Sequence, residues 1–436
     1  MRPNFIHPTI LIFALAAGLV GTRAQTGESL PPPTLGDLAT GLKSPDAAIR
    51  LQAITDLAAR GAAARPAAME LVSALRDDDA EVRAVAAVIL GQLAAEPDAA
   101  MPALAARLGD ETQTQPGPMW LVAALSLGGY GGAALPHILP ALKSDSPVTC
   151  RGAMVAVERL GKQAGSAVPE LIAILQRNDP ATRIFAIGAL RAIGPAARAA
   201  VPDLIKQLSS DDFHTQYWAC RALGAIGPEA QSATGELIRC LQTGVASVRR
   251  NAAAALGNIG PDVGQPGVEA LSAALSDSLQ PVRQNAVIAL GQLAPLASPA
   301  VPVIETMLQE PAKFIPRAPA AKALWQLAPQ SKTPVEALLR DLVEDDEPWL
   351  AAQVFGEIQV PNDAVGRLAA LLDSANVWTR QYAAVALLEI GAETPRAIAT
   401  LEELARSDNE ETRETAADSL AKYKPQAKPA TESTSP

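Results

Sequence analysis

Aromatic side chains make up only 3% of this chain, and it holds just three histidines and three cysteines. The histidines (His7, His137 and His214) form no His-x-His or His-Glu pair, and no Cys-x-x-Cys occurs. The spacings that hold zinc or iron are therefore missing. Nor is there a Gly-x-Ser-x-Gly elbow or a phosphate-cradling glycine loop. No catalytic residue, metal site or cofactor is expected. An odd cysteine count leaves at least one of Cys150, Cys220 and Cys240 unpaired, and small core or interface positions suit all three. Basic charge is short as well. The formal net charge is −10, or about −12 without residues 1–24, which carry Arg2 and Arg23 and no acid. Such a surface repels phosphate backbones, so nucleic acid is not expected as a partner; a basic partner is permitted.

What fills the space left by the aromatics is small and aliphatic. Hydrophobic residues are 49% of the chain, alanine foremost, and this suits closely packed helices rather than strands, which favour β-branched and aromatic side chains. The expected fold class is all-α. A length of 436 residues admits two or three ordinary domains or one long repeat array.

The two ends differ from the rest. Arg2 precedes an uncharged apolar run at residues 10–20 (ILIFALAAGLV), and Thr22-Arg23-Ala24 places small residues around a cleavage point before Gln25. Residues 1–24 read as a signal peptide. The run is shorter than the roughly 20 residues that span a bilayer, although an uncleaved anchor stays open if Phe5 and Ile6 are counted with it. The mature chain is expected in the periplasm or outside the cell, a monomer with no stable membrane span. Residues 25–33 form a proline-rich linker, and residues 425–436 (PQAKPATESTSP) have no apolar stripe and are expected to be disordered.

Between these ends the chain repeats itself at a period near 33 residues. Each unit opens on a proline (Pro169, Pro202, Pro302), where a missing N–H costs a helix little. An apolar stripe follows, as in Leu171, Ile172, Ile174 and Leu175. An Asp-Asp or Asn-Asp turn then caps a second helix (Asp78-Asp79, Asn178-Asp179, Asp211-Asp212). That second helix reads RIFAIGALRAIG from Arg183, QYWACRALGAIG from Gln216 and RRNAAAALGNIG from Arg249. Its first residue marks the register: Arg50, Arg83, Trp120, Cys150, Arg183, Gln216, Arg249, Arg283, Arg317, Trp349, Arg380 and Arg413. Positions three, four, seven and ten after the marker share one face, in one unit Ala186, Ile187, Leu190 and Ile193. Gly194, Gly227 and Gly260 stand where a helix C-cap takes a left-handed residue. Neither helix can bury its stripe alone, so units must stack.

This pattern resembles the HEAT-repeat family, in the short bacterial form also seen in phycobilisome-lyase-like repeats. The resemblance covers roughly residues 34–424 and implies an α-solenoid of about twelve helix pairs wound as a right-handed superhelix. It also implies that the second helix of each pair lines the concave side. The function it implies is a non-enzymatic scaffold that binds a protein or extended peptide. A lyase-like accessory or cofactor-handling factor is the alternative, as is a purely structural envelope component. The irregular stretch at 112–132, with Pro116, Pro118 and clustered glycines, is expected to kink the array.

Two sets of side chains stand out. Arg83, Arg183, Arg249 and Arg283 lie beside the aspartate turns and are expected to form a structural ladder of Arg–Asp pairs. Asp77, Asp78 and Asp79 suggest either helix capping or a cation. All five tryptophans (Trp120, Trp218, Trp325, Trp349, Trp378) fall in or just before second helices. Opposite the buried stripe lie Phe185, Tyr217, Trp218, Arg221, Arg250, Asn251, Gln284 and Asn285. These are the candidate partner-binding residues, being aromatic, arginine and amide types that suit an interface.

Overall fold

The computed structural model describes residues 33–177, 179–309, 317–344 and 348–423. The expected signal segment at 1–24, all but the last residue of the linker, and the tail at 425–436 lie outside the described residues, as does Asn178. The rest is helical and divides into two units, the first ending at Ala233 and the second beginning at Thr234. Among the described residues each unit holds six helix pairs, and the chain forms the expected all-α solenoid.

In the first unit the helices are α1 (Leu35–Gly41), α2 (Ala47–Ala59), α3 (Ala68–Ala74), α4 (Ala80–Leu93), α5 (Pro97–Ala105), α6 (Met119–Leu127), α7 (Leu135–Leu142), α8 (Pro147–Leu160), α9 (Val168–Leu175), α10 (Pro180–Ile193), α11 (Val201–Leu208) and α12 (Phe213–Ile226). In the second they are α13 (Thr234–Thr243), α14 (Ala246–Ile259), α15 (Gly264–Ala274), α16 (Gln280–Gln292), α17 (Val301–Gln309), α18 (Arg317–Leu327), α19 (Thr333–Glu344), α20 (Pro348–Phe355), α21 (Asn362–Leu371), α22 (Val377–Ile390), α23 (Thr394–Leu404) and α24 (Glu410–Tyr423). Odd-numbered helices open a pair and even-numbered helices close it. Within each unit every even helix packs on its own odd partner and on the even helices before and after it.

The turns and caps follow from the sequence. Asp79 accepts the amides of Glu81 and Val82 at the start of α4, and Asp212 those of His214 and Thr215 at the start of α12. These carboxylates occupy the unsatisfied donors of a helix N-terminus. Capping therefore explains Asp79, and Asp77 is held by Arg50. Among the described residues no group of three or more His, Cys, Asp or Glu could hold a metal. The inward stripe is as expected: Ala186, Ile187, Leu190 and Ile193 have no exposed surface.

Two glycine positions set the repeat geometry. Eight residues after the marker, Gly91, Gly257 and Gly291 bring one even helix against the next. A Cβ on Gly257 would lie 2.8 Å from the Ala289 Cα, and one on Gly91 2.7 Å from the Ser126 Cα. Eleven residues after the marker, the chain leaves the even helix with a positive φ. Gly194 has φ 71° and ψ −137°, and Gly227 φ 75° and ψ −138°. This is not the left-handed helical cap expected from the sequence. It is the mirror-image extended region, essentially open to glycine alone, and it launches a short 3-10 turn into the next odd helix.

Three further differences have physical reasons. The irregular stretch is not a simple kink: Gln113–Thr114 and Gly117–Pro118 pair as a two-stranded antiparallel ribbon between α5 and α6. The ribbon is fastened by the Gln115 amide, which donates to Glu81. In the tenth repeat the marker is Pro348, not Trp349. Burial at Pro348, Ala351, Ala352 and Phe355, with Gly356 eight residues after Pro348, restores the common register. Trp349 moves out to a 49% exposed position. Finally, Met119–Leu142 and Pro180–Leu208 are long and apolar enough to cross a membrane by composition alone. Each is an even helix, a 3-10 turn and the next odd helix, with 44% and 56% of the most apolar window buried. Packing inside the stack accounts for that hydropathy.

Candidate functional site

The marker arginines turn inward to the backbone of their own turn. Arg83 Nη1 donates to the Asp77 carbonyl at 2.8 Å, Arg249 Nη1 to that of Gly244 at 3.0 Å, and Arg283 Nη1 to that of Asp277 at 2.7 Å. Where the marker is Gln216, its amide does the same work on Ser210 at 2.8 Å. Carbonyls at a helix end have no intrahelical donor, so this is a structural role. A second set of bonds joins successive repeats. Arg50 grips Asp77 with two bonds of 2.7 Å, Arg249 grips Asp277 at 2.7 and 2.9 Å, and Arg83 lies 3.6 Å from Asp110. Arg183 differs, donating to the Arg177 carbonyl at 3.2 Å; the next repeat carries Ser210 where others carry an aspartate.

One rung is reversed. Cys150 stands at a marker position, and Arg177, in the turn of the following repeat, reaches back to its Sγ at 3.7 Å. Burial pushes the Cys150 thiol up, and the Arg177 charge opposes that shift. All three cysteines are buried, and among the described residues none forms a disulfide.

The Arg249 rung carries a pH signature. The hydrogen bond from Arg249 holds the Asp277 carboxyl below the ordinary aspartate value, against the opposing effect of burial. A depressed carboxyl stabilises the fold above its unfolded pKa and loses that contribution as the pH falls through the folded one. Arg249→Ala is expected to cost about 1–3 kcal/mol at neutral pH. The gap between variant and wild type should close as the solution is acidified below the ordinary aspartate range. Denaturant midpoints measured across that range check this; a gap independent of pH would remove the rung from the stability of the fold.

The outward side of the even helices of the first unit has a different character. On α8, Arg151 lies one residue after the marker, its Cζ 5.9 Å from the ring centre of Trp120 on α6 and 5.4 Å from that of Phe185 on α10. On α10, Arg191 lies 5.9 Å from the Trp218 ring and bonds Glu158 of α8 at 2.9 Å. On α12, Arg221 covers Trp218 at 4.9 Å and Tyr217 at 5.5 Å, and donates to the Tyr217 hydroxyl at 3.2 Å. Tyr217 and Trp218 meet edge to face at 5.5 Å. Aromatic rings and guanidinium planes thus alternate across four successive even helices. All of these side chains are half-buried, which leaves each with surface for a partner.

The candidate residues divide between the units. Phe185, Tyr217, Trp218 and Arg221 belong to this row in the first. Arg250, Asn251, Gln284 and Asn285 stand half-buried on α14 and α16 of the second. The asparagine amides are not idle: Asn251 donates to the Ser247 carbonyl at 2.6 Å and Asn285 to that of Pro281 at 3.2 Å. Each is bonded to its own helix four residues back, which weakens the expectation that they present free donors to a peptide. The five tryptophans all lie in even helices, as expected.

Sequence reasoning passed over Arg151, Glu158 and Arg191. A signal was present. Eight residues after the marker half of the repeats carry glycine (Gly91, Gly128, Gly224, Gly257, Gly291 and Gly356), and the fourth and fifth carry Glu158 and Arg191. No other repeat carries a charge at this position. A family model described as HEAT repeats matches residues 168–257, 236–325 and 333–421, more than half of the chain. No curated protein matched it.

Proposed function

The chain belongs to the HEAT-repeat family, and from that premise we propose that it is a non-catalytic scaffold which holds a protein or an extended peptide along the even-helix face of its first unit. The observation that carries this is the row of alternating rings and guanidinium groups from Trp120 to Arg221. Tryptophan, tyrosine and arginine dominate binding hot spots: the two aromatics combine large contact area with few rotatable bonds, and arginine adds directed hydrogen bonding from a planar fork. The rest of the face supplies rigidity. The even helices of the row pack on one another, and the markers Arg183 and Gln216 are committed to their turns, so the row is presented on a frame that need not rearrange to bind.

The test uses peptides selected from a random display library against the full chain. Trp218→Ala combined with Arg221→Ala should weaken a selected peptide at least about tenfold, or about 1.4 kcal/mol, with helicity unchanged by circular dichroism. A folded double variant that binds as tightly as the wild type would reduce the row to packing.

A further inference from the structure

Resting on that reading, we propose that the first unit selects an acidic partner segment, its carboxylates taken by Arg151 and Arg221. The argument starts from how these two cations are held. Arg50, Arg249, Arg367 and Arg396 each pair with a carboxylate of this chain. Among the described residues neither Arg151 nor Arg221 forms an ion pair. Each instead lies over aromatic rings, its Cζ 4.9–5.9 Å from the ring centres. Asp179 feels the charge of Arg151, but its oxygens are engaged by the Ala181 amide and the Thr182 hydroxyl at the start of α10.

Ring contact restrains each guanidinium; Arg221 gives one N–H to the Tyr217 hydroxyl, and the N–H groups that remain match the oxygens of a carboxylate. Partial burial raises the value of such a bond, since less water competes for it. Arg191 between them is neutralised by Glu158 at 2.9 Å, so the row carries a cation at each end and a neutral, ring-rich middle. Two repeats separate α8 from α12. At about 10 Å per packed helix layer this sets the cations about 20 Å apart, a distance that about six residues of extended chain cover. The ligand class that follows is an extended segment with two acidic residues about that far apart and apolar side chains between them. Charge chooses this over a nucleic acid: a phosphate every few ångströms needs a continuous basic track, and the chain carries a net charge of −10.

The experiment uses the full chain and three labelled peptides of about twelve residues, alike except at two positions about six apart, which hold Glu, Gln or Lys. Anisotropy titrations at low salt should show the Glu peptide binding at least about tenfold tighter than its Gln twin, a preference that shrinks as salt screens it. Arg151→Gln and Arg221→Gln should each remove most of that preference while leaving helicity intact. Equal binding of the Glu and Gln peptides would overturn the proposal, as would a preference that survives in the double Arg→Gln variant, or failure of all three peptides to bind. A single-stranded oligonucleotide that binds tighter than the Glu peptide would overturn it in favour of nucleic acid. None of these results touches the scaffold reading, which falls only if library-selected peptides ignore Trp218 and Arg221.

Discussion

Replacing Arg317 with alanine is expected to destabilise the second unit locally by about 3–5 kcal/mol. Arg317 opens α18 with its side chain 6% exposed, and its Nη1 lies 3.0 Å from Oδ1 of Asp341 on α19, which is 3% exposed. The same guanidinium reaches Glu344 at 3.5 Å. This is the ladder rung drawn furthest into the core. It ties the even helix of one repeat to the odd helix of the next. Charges removed from water repay their desolvation through their partners, so the rung matters less as a source of stability than as a liability once broken. Alanine takes the Arg317 cation from beside the buried Asp341 carboxylate. Exchanging both partners for apolar residues (Arg317→Met with Asp341→Leu) should be far milder, because no charge is then stranded. Repeat stacks unfold in segments rather than as one unit, so hydrogen exchange of the α18 and α19 amides is the proper measurement. Unchanged protection in the single variant would show that the pair contributes nothing.

Phe355→Ala should cost about as much, about 3–5 kcal/mol, by a different route. Seven residues after the marker every other described repeat buries an aliphatic side chain (Leu190, Leu223, Leu256, Leu290, Leu324 and Leu387 among them), and the tenth buries a phenylalanine, Phe355, with no exposed surface. The ring stands at the end of the short helix α20, which packs on α18, α19 and α22. Alanine there removes the ring from a site whose walls are backbone-stacked helices that cannot close up. Phe355→Leu restores the side chain common to the other repeats and should recover much of the loss. A denaturation midpoint for Phe355→Ala within error of the wild type would mean that α20 relaxes freely, contrary to its packing.

The arithmetic of the repeat was legible because each element has a local cause. Proline opens odd helices, aspartate caps even ones, and the positions three, four and seven after the marker share a face. These give the helix pairs, their order and the buried stripe from sequence alone. Where a repeat loses its marker, pattern and packing part company. Trp349 took the place of Pro348 in the reading because a proline does not look like an arginine, although Gly356 eight residues on held the true register. The ribbon at Gln113–Pro118 was hidden for a similar reason: two short strands have no period to detect.

The candidate site was half legible. Tyr217, Trp218 and Arg221 could be found because three interface-type residues share one helix. Arg151 could not, because its meaning lies between helices, and Glu158 and Arg191 showed in the sequence only as charges at a position where other repeats are uncharged. Arg151 becomes a candidate only when stacking sets Trp120 on one side of it and Phe185 on the other. The amides of Asn251 and Asn285 failed in the opposite sense. Helical spacing placed them outward, and a bond to the carbonyl four residues back then claimed them, a competition that short polar side chains in helices commonly enter.

Where a ligand lies on this chain can be read directly by photo-crosslinking. A library-selected peptide carrying a photoreactive group at successive positions is irradiated with the full chain, and the attachment sites are mapped by mass spectrometry. Cross-links should fall on the outward residues of α6, α8, α10 and α12, around Trp120, Arg151, Phe185, Arg191 and Trp218, and should vanish with Trp218→Ala and Arg221→Ala combined. Cross-links concentrated on the odd helices, or spread over the second unit and indifferent to those substitutions, would contradict binding at the aromatic–arginine row.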